Sequence, residues 1–194
     1  MKKHQITDLP SVDALEAELK RVKYKQNYFT VLRSTIYMLI TVAAVAVLVA
    51  TLLLPVLQIY GSSMTPTLQN GEIVVTLKTA DFEQGDVIAF YYNNKILVKR
   101  VIAGPADWVD IDEDGNVYVN EVLIEEPYVT DKAYGDTNIE LPYQVPDERY
   151  FVMGDHRSTS SDSRNTAVGC VAQEQVVGKI IFRVWPLERW STIQ

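Results

Sequence analysis

Residues 86–102 read DVIAFYYNNKILVKRVI. Two runs, 86–92 and 96–102, are rich in β-branched and aromatic residues, which suit a pleated, half-buried surface. Between them stands Asn93-Asn94, and asparagine tolerates the left-handed backbone of a tight hairpin turn. The stretch therefore predicts an antiparallel hairpin. The same signature recurs on both sides: IVVTL at 73–77, then WVDID at 108–112, VYVN at 117–120, YFVMG at 150–154 and KIIFRVW at 179–185. Helix-length periodic segments are few beyond Gln58, and neither an internal repeat nor a low-complexity linker is visible. The expected fold class is mainly β, an antiparallel β-sheet domain over residues 58–194.

Upstream the pattern changes. No charged side chain lies between Arg33 and Glu72, and within that gap Ile36–Leu57 reads IYMLITVAAVAVLVATLLLPVL. A helix of 22 residues is roughly 33 Å long, matching a hydrocarbon core of about 30 Å. Pro55 is expected in the last turn, where a lost hydrogen bond does least harm. A cleaved signal peptide has an apolar core of about 7–15 residues after a short basic start. Here 35 residues precede a longer run, so an uncleaved signal-anchor is expected. Before the span lie seven basic and four acidic residues, and after it eleven basic and twenty-one acidic. The positive-inside rule then puts the N-terminus in the cytoplasm. The expected organisation is a cytoplasmic segment 1–35, a transmembrane helix 36–57 and an extracytoplasmic domain 58–194, in a single-pass protein of the cell membrane. Val12, Leu15, Leu19 and Val22 behind Ser11 predict a short amphipathic helix in the first segment.

Composition excludes several classes. The net charge of −7 over 194 residues argues against a nucleic-acid partner. Hydrophobic residues at 47% and charged residues at 22% exclude a disordered chain. Cys170 is the sole cysteine and His4 and His156 the only histidines, so no metal site of cysteines or histidines is expected. Asp110, Asp112, Asp114, Gly115 and Glu121 match a calcium-loop pattern. That loop needs flanking helices, whereas Trp108-Val109 and Val122-Leu123-Ile124 alternate like strands and Asp114-Gly115 is a turn pair. The expectation there is a hairpin.

Three clusters carry chemistry-bearing residues. Tyr60–Leu68, YGSSMTPTL, begins three residues after the apolar run. A serine in such a turn presents its hydroxyl and its own N–H outward, although serines also serve merely as turn formers. In Leu97–Ile102, LVKRVI, strand alternation puts Lys99 on one face with Leu97 and Val101 and turns Arg100 away. Burial of that face lowers the lysine pKa and makes a base of it; on an exposed edge the same lysine would merely guard against aggregation. Met153–Arg164, MGDHRSTSSDSR, mixes hydroxyls, acids and arginines that suit either a supporting ion-pair network or a solvated loop. A Ser–His–acid triad from Ser63, His156 and Asp155 or Asp162 is a competing arrangement.

Taken in order, these segments resemble the bacterial type I signal peptidases (leader peptidases) in their small single-span form. GSSMTPTL at 61–68 is similar to the family's nucleophile box and VKRVIAGPAD at 98–107 to its lysine box. GDHRSTSSDSR at 154–164 resembles its last box, with GEIVV at 71–75, QGDVIAF at 84–90 and GKIIFRVWP at 178–186 as intervening and closing strands. The resemblance implies a β domain of signal-peptidase type and a serine endopeptidase with a Ser–Lys dyad. Its substrates are preproteins whose signal peptides are cut after small residues at −3 and −1. Ser63 matches the nucleophile, Lys99 the general base and Ser160 the hydroxyl that orients the lysine. Asp155, Asp162 and Arg164 match the charged network behind the site, and Ile59, Met64, Leu68 and Val98 match positions near the substrate pockets. Gly61 stands where some members carry a serine completing the oxyanion hole, which leaves the Ser63 N–H as first donor and the second unassigned. His156 stands where Asn is common, and Ala106 where Gly is common. The implied partners are preprotein signal peptides, the lipid bilayer and the secretion translocon; neither metal nor cofactor is implied. A non-catalytic relative assisting the assembly of surface proteins is the alternative.

Overall fold

The computed structural model describes residues 11–79 and 81–193. His4 and the charges of Lys2, Lys3 and Asp8 used above lie outside the described residues. The chain divides into two compact units, Met1–Val49 and Ala50–Gln194.

Among the described residues, one helix, α1 (Val12–Leu53), is long and apolar enough to cross a membrane. Ser11 caps its start, its Oγ accepting from the Ala14 N–H at 3.4 Å. Two expectations are corrected here. The segment around Val12–Val22 is not a separate short helix but the first turns of α1. The helix also stops at Leu53 rather than Leu57. The proline ring disfavours helical backbone at the residue before it, and Pro55 instead gives its carbonyl to the Thr76 N–H at 2.8 Å. Val56–Gln58 then forms a strand, β1.

The following strands are β2 (Ile73–Leu77), β3 (Val87–Tyr92), β4 (Lys95–Ala103), β5 (Trp108–Ile111), β6 (Val117–Val119) and β7 (Val122–Leu123). After them come β8 (Tyr143–Gln144), β9 (Arg149–Met153), β10 (Val171–Ala172), β11 (Val176–Trp185) and β12 (Ser191–Thr192). The larger sheet runs β1-β2-β11-β3-β4-β9-β10, with β12 beside β11, and the smaller runs β7-β6-β5-β8. Every pairing is antiparallel.

The β3–β4 hairpin closes at Tyr92↔Lys95, with Asn93 and Asn94 at φ 42° and 60°. Positive φ at both turn positions matches the right-handed twist of the strands. Val87–Phe90 of β3 is buried on both faces, as a continuous apolar run at the middle of a sheet requires. The acidic stretch 110–121 is a hairpin: β5 pairs β6, and Asp112 takes the Asn116 side chain and N–H, each at 2.8 Å. Strands flank it where a calcium loop needs helices.

Candidate active site

The sheet creates a groove because β4 is paired unevenly. β3 accompanies it from Lys95, but β9 joins only from Arg100 onward. The edge of residues 95–99 away from β3 is thus left open, and β1 is itself an edge strand. Between these edges lies a cleft of about 540 Å³ whose lining includes Leu57–Gly61, Ser63, Met64 and Asn94–Lys99. Ser63 and Lys99 therefore share one cavity.

The nucleophile-like turn is held from several sides. The Thr65 N–H and Oγ1–H both donate to the Ser62 carbonyl, at 3.1 and 2.7 Å. Gly61 has φ +95°, a conformation glycine adopts without steric cost, and its N–H donates to Asn70 Oδ1 at 3.0 Å. That commitment takes the Gly61 N–H out of reach of a ligand. The Ser63 N–H donates to no protein acceptor among the described residues. Ser63 is half-buried at the cleft wall.

Lys99 is 3% exposed. Its Nζ donates to Ser160 Oγ at 3.0 Å. Burial lowers the Lys99 amine from 10.5 to about 8, assisted by the Arg164 charge and opposed by Asp162 and Asp155. The buried arginines differ from it. Arg100 makes two bonds to Asp155, Arg164 two to Asp162, Arg157 pairs with Glu126 and Arg183 with Glu72. Among the buried cations of the described residues, Lys99 alone has no carboxylate within 4.0 Å. It faces a hydroxyl instead.

Asp155 and Asp162 each form a buried ion pair with an arginine. Asp162 Oδ2 also accepts the Gly154 N–H at 3.0 Å, and Arg164 holds it well below the usual carboxylate range against the opposing effect of burial. Asp155 joins Arg100 to Thr67, whose Oγ1 donates to it at 2.5 Å. Gly154 is sterically required: a Cβ there would collide with Ser160 Oγ and stand 2.5 Å from the Ser63 carbonyl. The triad arrangement is overturned. His156 Nδ1 meets Thr65 Oγ1 at 3.2 Å, while Asp155 and Asp162 are committed to arginines.

Ile59, Met64 and Val98 line the cleft. Leu68 does not; it is fully buried in the core cluster beneath Ile59 and Met64. Sequence reasoning passed over four supports. Arg100, read only as facing away from Lys99, is buried and sits 3.8 Å above the Tyr128 ring. Thr67, Glu126 and Gly154 complete the set. Of these only Gly154 carried a local signal, a glycine directly after a buried strand.

Comparison with known proteins follows the same lines. The family model described as "Signal peptidase, peptidase S26" matches residues 32–185. Signal peptidase IB of Staphylococcus aureus (strain COL) is 38% identical over 153 residues, covering 69% of this chain and 78% of that protein. Signal peptidase I of Bacillus amyloliquefaciens is 33% identical over 159 residues, covering 76% and 85%. A signal peptidase I crystal structure from Enterococcus faecalis V583 is 30% identical, with a TM-score of 0.44 over 51% of this chain and 96% of that one. The chain belongs to the signal peptidase family, peptidase S26, a family of serine endopeptidases.

Proposed function

We propose that this membrane-anchored protein removes signal peptides from exported preproteins, with Ser63 as nucleophile and Lys99 as general base. The observation that carries the reading is the buried Lys99 amine. It lies in the same cleft as Ser63, is deprived of a carboxylate and is held by the Ser160 hydroxyl. A neutral amine takes the proton from Ser63 Oγ as the oxygen attacks the scissile carbonyl. The Ser63 N–H is free to stabilise the oxyanion. The amine then hands the proton to the leaving nitrogen, and water activated by the same lysine hydrolyses the acyl-enzyme.

The two open edges support the substrate's mode of entry. An extended peptide adds as a strand between β1 and residues 95–99, with alternate side chains turned toward the apolar wall. Ile59, Met64 and Val98 leave shallow space, which fits cleavage after small residues at −3 and −1. Leu68 acts by packing beneath that wall. Asp155, Asp162 and Arg164 keep Ser160 and Gly154 in place. Nine residues separate Leu53 from Ser63, which tethers the site near the bilayer surface where a signal peptide's apolar stretch ends. The charge balance of the flanks supports a single-pass topology with a cytoplasmic N-terminus and the domain outside. There it meets preproteins leaving the secretion translocon.

The test is cleavage of a labelled preprotein in lipid by wild type, Ser63→Ala and Lys99→Ala, with the new N-terminus sequenced. Cleavage after a small-x-small site, lost in both variants, is expected. Variants that cut like wild type would sink the dyad. A folded wild type that cuts nothing would favour the assembly role.

A further inference from the structure

We propose that His156 is a positioning residue for the nucleophile, gripping the Ser63 turn through Thr65. The inference rests on the reading of Ser63 as nucleophile. Thr65 Oγ1 has one proton, and it goes to the Ser62 carbonyl at 2.7 Å. Only lone pairs remain on that oxygen. His156 Nδ1, 3.2 Å away, must therefore be the donor, which puts a proton on Nδ1. The His156 backbone N–H donates to the Ser63 carbonyl at 3.1 Å. One residue thus holds both the carbonyl of the nucleophile and the side chain two positions beyond it. Through Thr65 the grip extends to the Ser62 carbonyl on the other side.

Asp131 Oδ2, which accepts from the Ser158 hydroxyl at 2.7 Å, lies 3.9 Å from Nε2, beyond hydrogen-bond reach. Neither His156 nor Thr65 lines the cleft, so neither is placed to touch the peptide. The direction of Ser63 Oγ depends on one side-chain torsion and on the backbone of residues 62–64. Loosening that backbone moves the attacking atom and leaves the binding surface intact. A misplacement of about 1 Å costs about 100-fold in rate. Loss of one of the turn's several ties is expected to cost about tenfold, read in kcat with KM unchanged.

The experiment measures kcat and KM of the full-length protein in lipid with a labelled preprotein. His156→Ala should lower kcat about tenfold, and His156→Asn, which restores an N–H donor near the Nδ1 position, should recover it to within about twofold. Thr65→Val should lose at least as much as His156→Ala. The double variant Thr65→Val/His156→Ala should be no slower than Thr65→Val alone, because both act along one path. If His156→Ala fails to fold, His156→Leu keeps bulk without a donor and takes its place against His156→Asn. An unchanged kcat, an Asn variant as slow as the donor-less one, or multiplicative losses in the double variant would each overturn the inference. Ser63→Ala separates the two readings: if it still cuts, the nucleophile assignment fails and the inference falls with it. If it is inert while His156→Ala runs at the wild-type rate, the positioning role alone fails.

Discussion

Replacing Lys99 by Met should make the protein more stable near neutral pH and inactive. Lys99 is 3% exposed, and burial, its largest influence, lowers its amine from 10.5 to about 8. Unfolding returns the amine to water and to its ordinary value. Between about pH 8 and 10.5 the unfolded chain holds a proton that the folded chain has released, so stability rises with pH across that window. Below about pH 8 the full cost of burying the ammonium is present; above 10.5 it is gone. At about 1.4 kcal/mol per pKa unit, that cost is about 3 kcal/mol at pH 7 and about 1 kcal/mol at pH 10. Methionine has similar length and flexibility and carries no charge. It forfeits the hydrogen bond to Ser160, worth about 1 kcal/mol. The variant should thus gain about 2 kcal/mol at pH 7 and be about equal to wild type at pH 10. Urea unfolding of the full chain in a non-denaturing detergent, followed by tryptophan emission, measures this. Trp108, Trp185 and Trp190 all follow the apolar run. Other alkaline effects cancel in the difference between the two proteins. A difference that is the same at pH 7 and pH 10 would mean that the Lys99 amine titrates as in water. Lys99 would then have no physical ground for acting as a neutral base.

The same amine sets the pH profile: kcat/KM should rise about tenfold per unit below about pH 8 and level off above it, and a flat profile from pH 6 to 9 would contradict this. Gly154→Ala should lower kcat by more than about 100-fold, because the added carbon displaces Ser160 Oγ or the Ser63 carbonyl; near-normal turnover would show that the backbone yields there without moving either group.

What the sequence makes legible is local. The Asn93-Asn94 turn, the hairpin around Asp114-Gly115 and the antiparallel strands are decided within a few residues, by backbone preference and by alternation. The end of α1 misleads for a related reason. Apolar character continues to Leu57, but the residues after Pro55 satisfy their backbone groups on β2, and a strand partner fifteen or more residues away leaves no mark in composition. The candidate site divides along the same line. Alternation on β4 sets Lys99 apart from Arg100, yet it does not say that both are buried, nor that Asp155 reaches back 55 residues to Arg100. The Glu126–Arg157 pair spans 31 residues and stood inside a stretch that reads as loop. Family resemblance fills part of this gap by naming Ser160, 61 residues from Lys99. It cannot supply the contrast that explains the chemistry. Among the described residues, each buried arginine is matched by a carboxylate that stabilises its charge, whereas the one buried lysine is met by a hydroxyl. A carboxylate at the position of Ser160 would satisfy Lys99 as an ammonium and hold its proton in place. A hydroxyl orients the amine and leaves burial to drive the proton off, so that, under the proposed dyad, the pairing least favourable for stability would be the one that leaves a lone pair for Ser63.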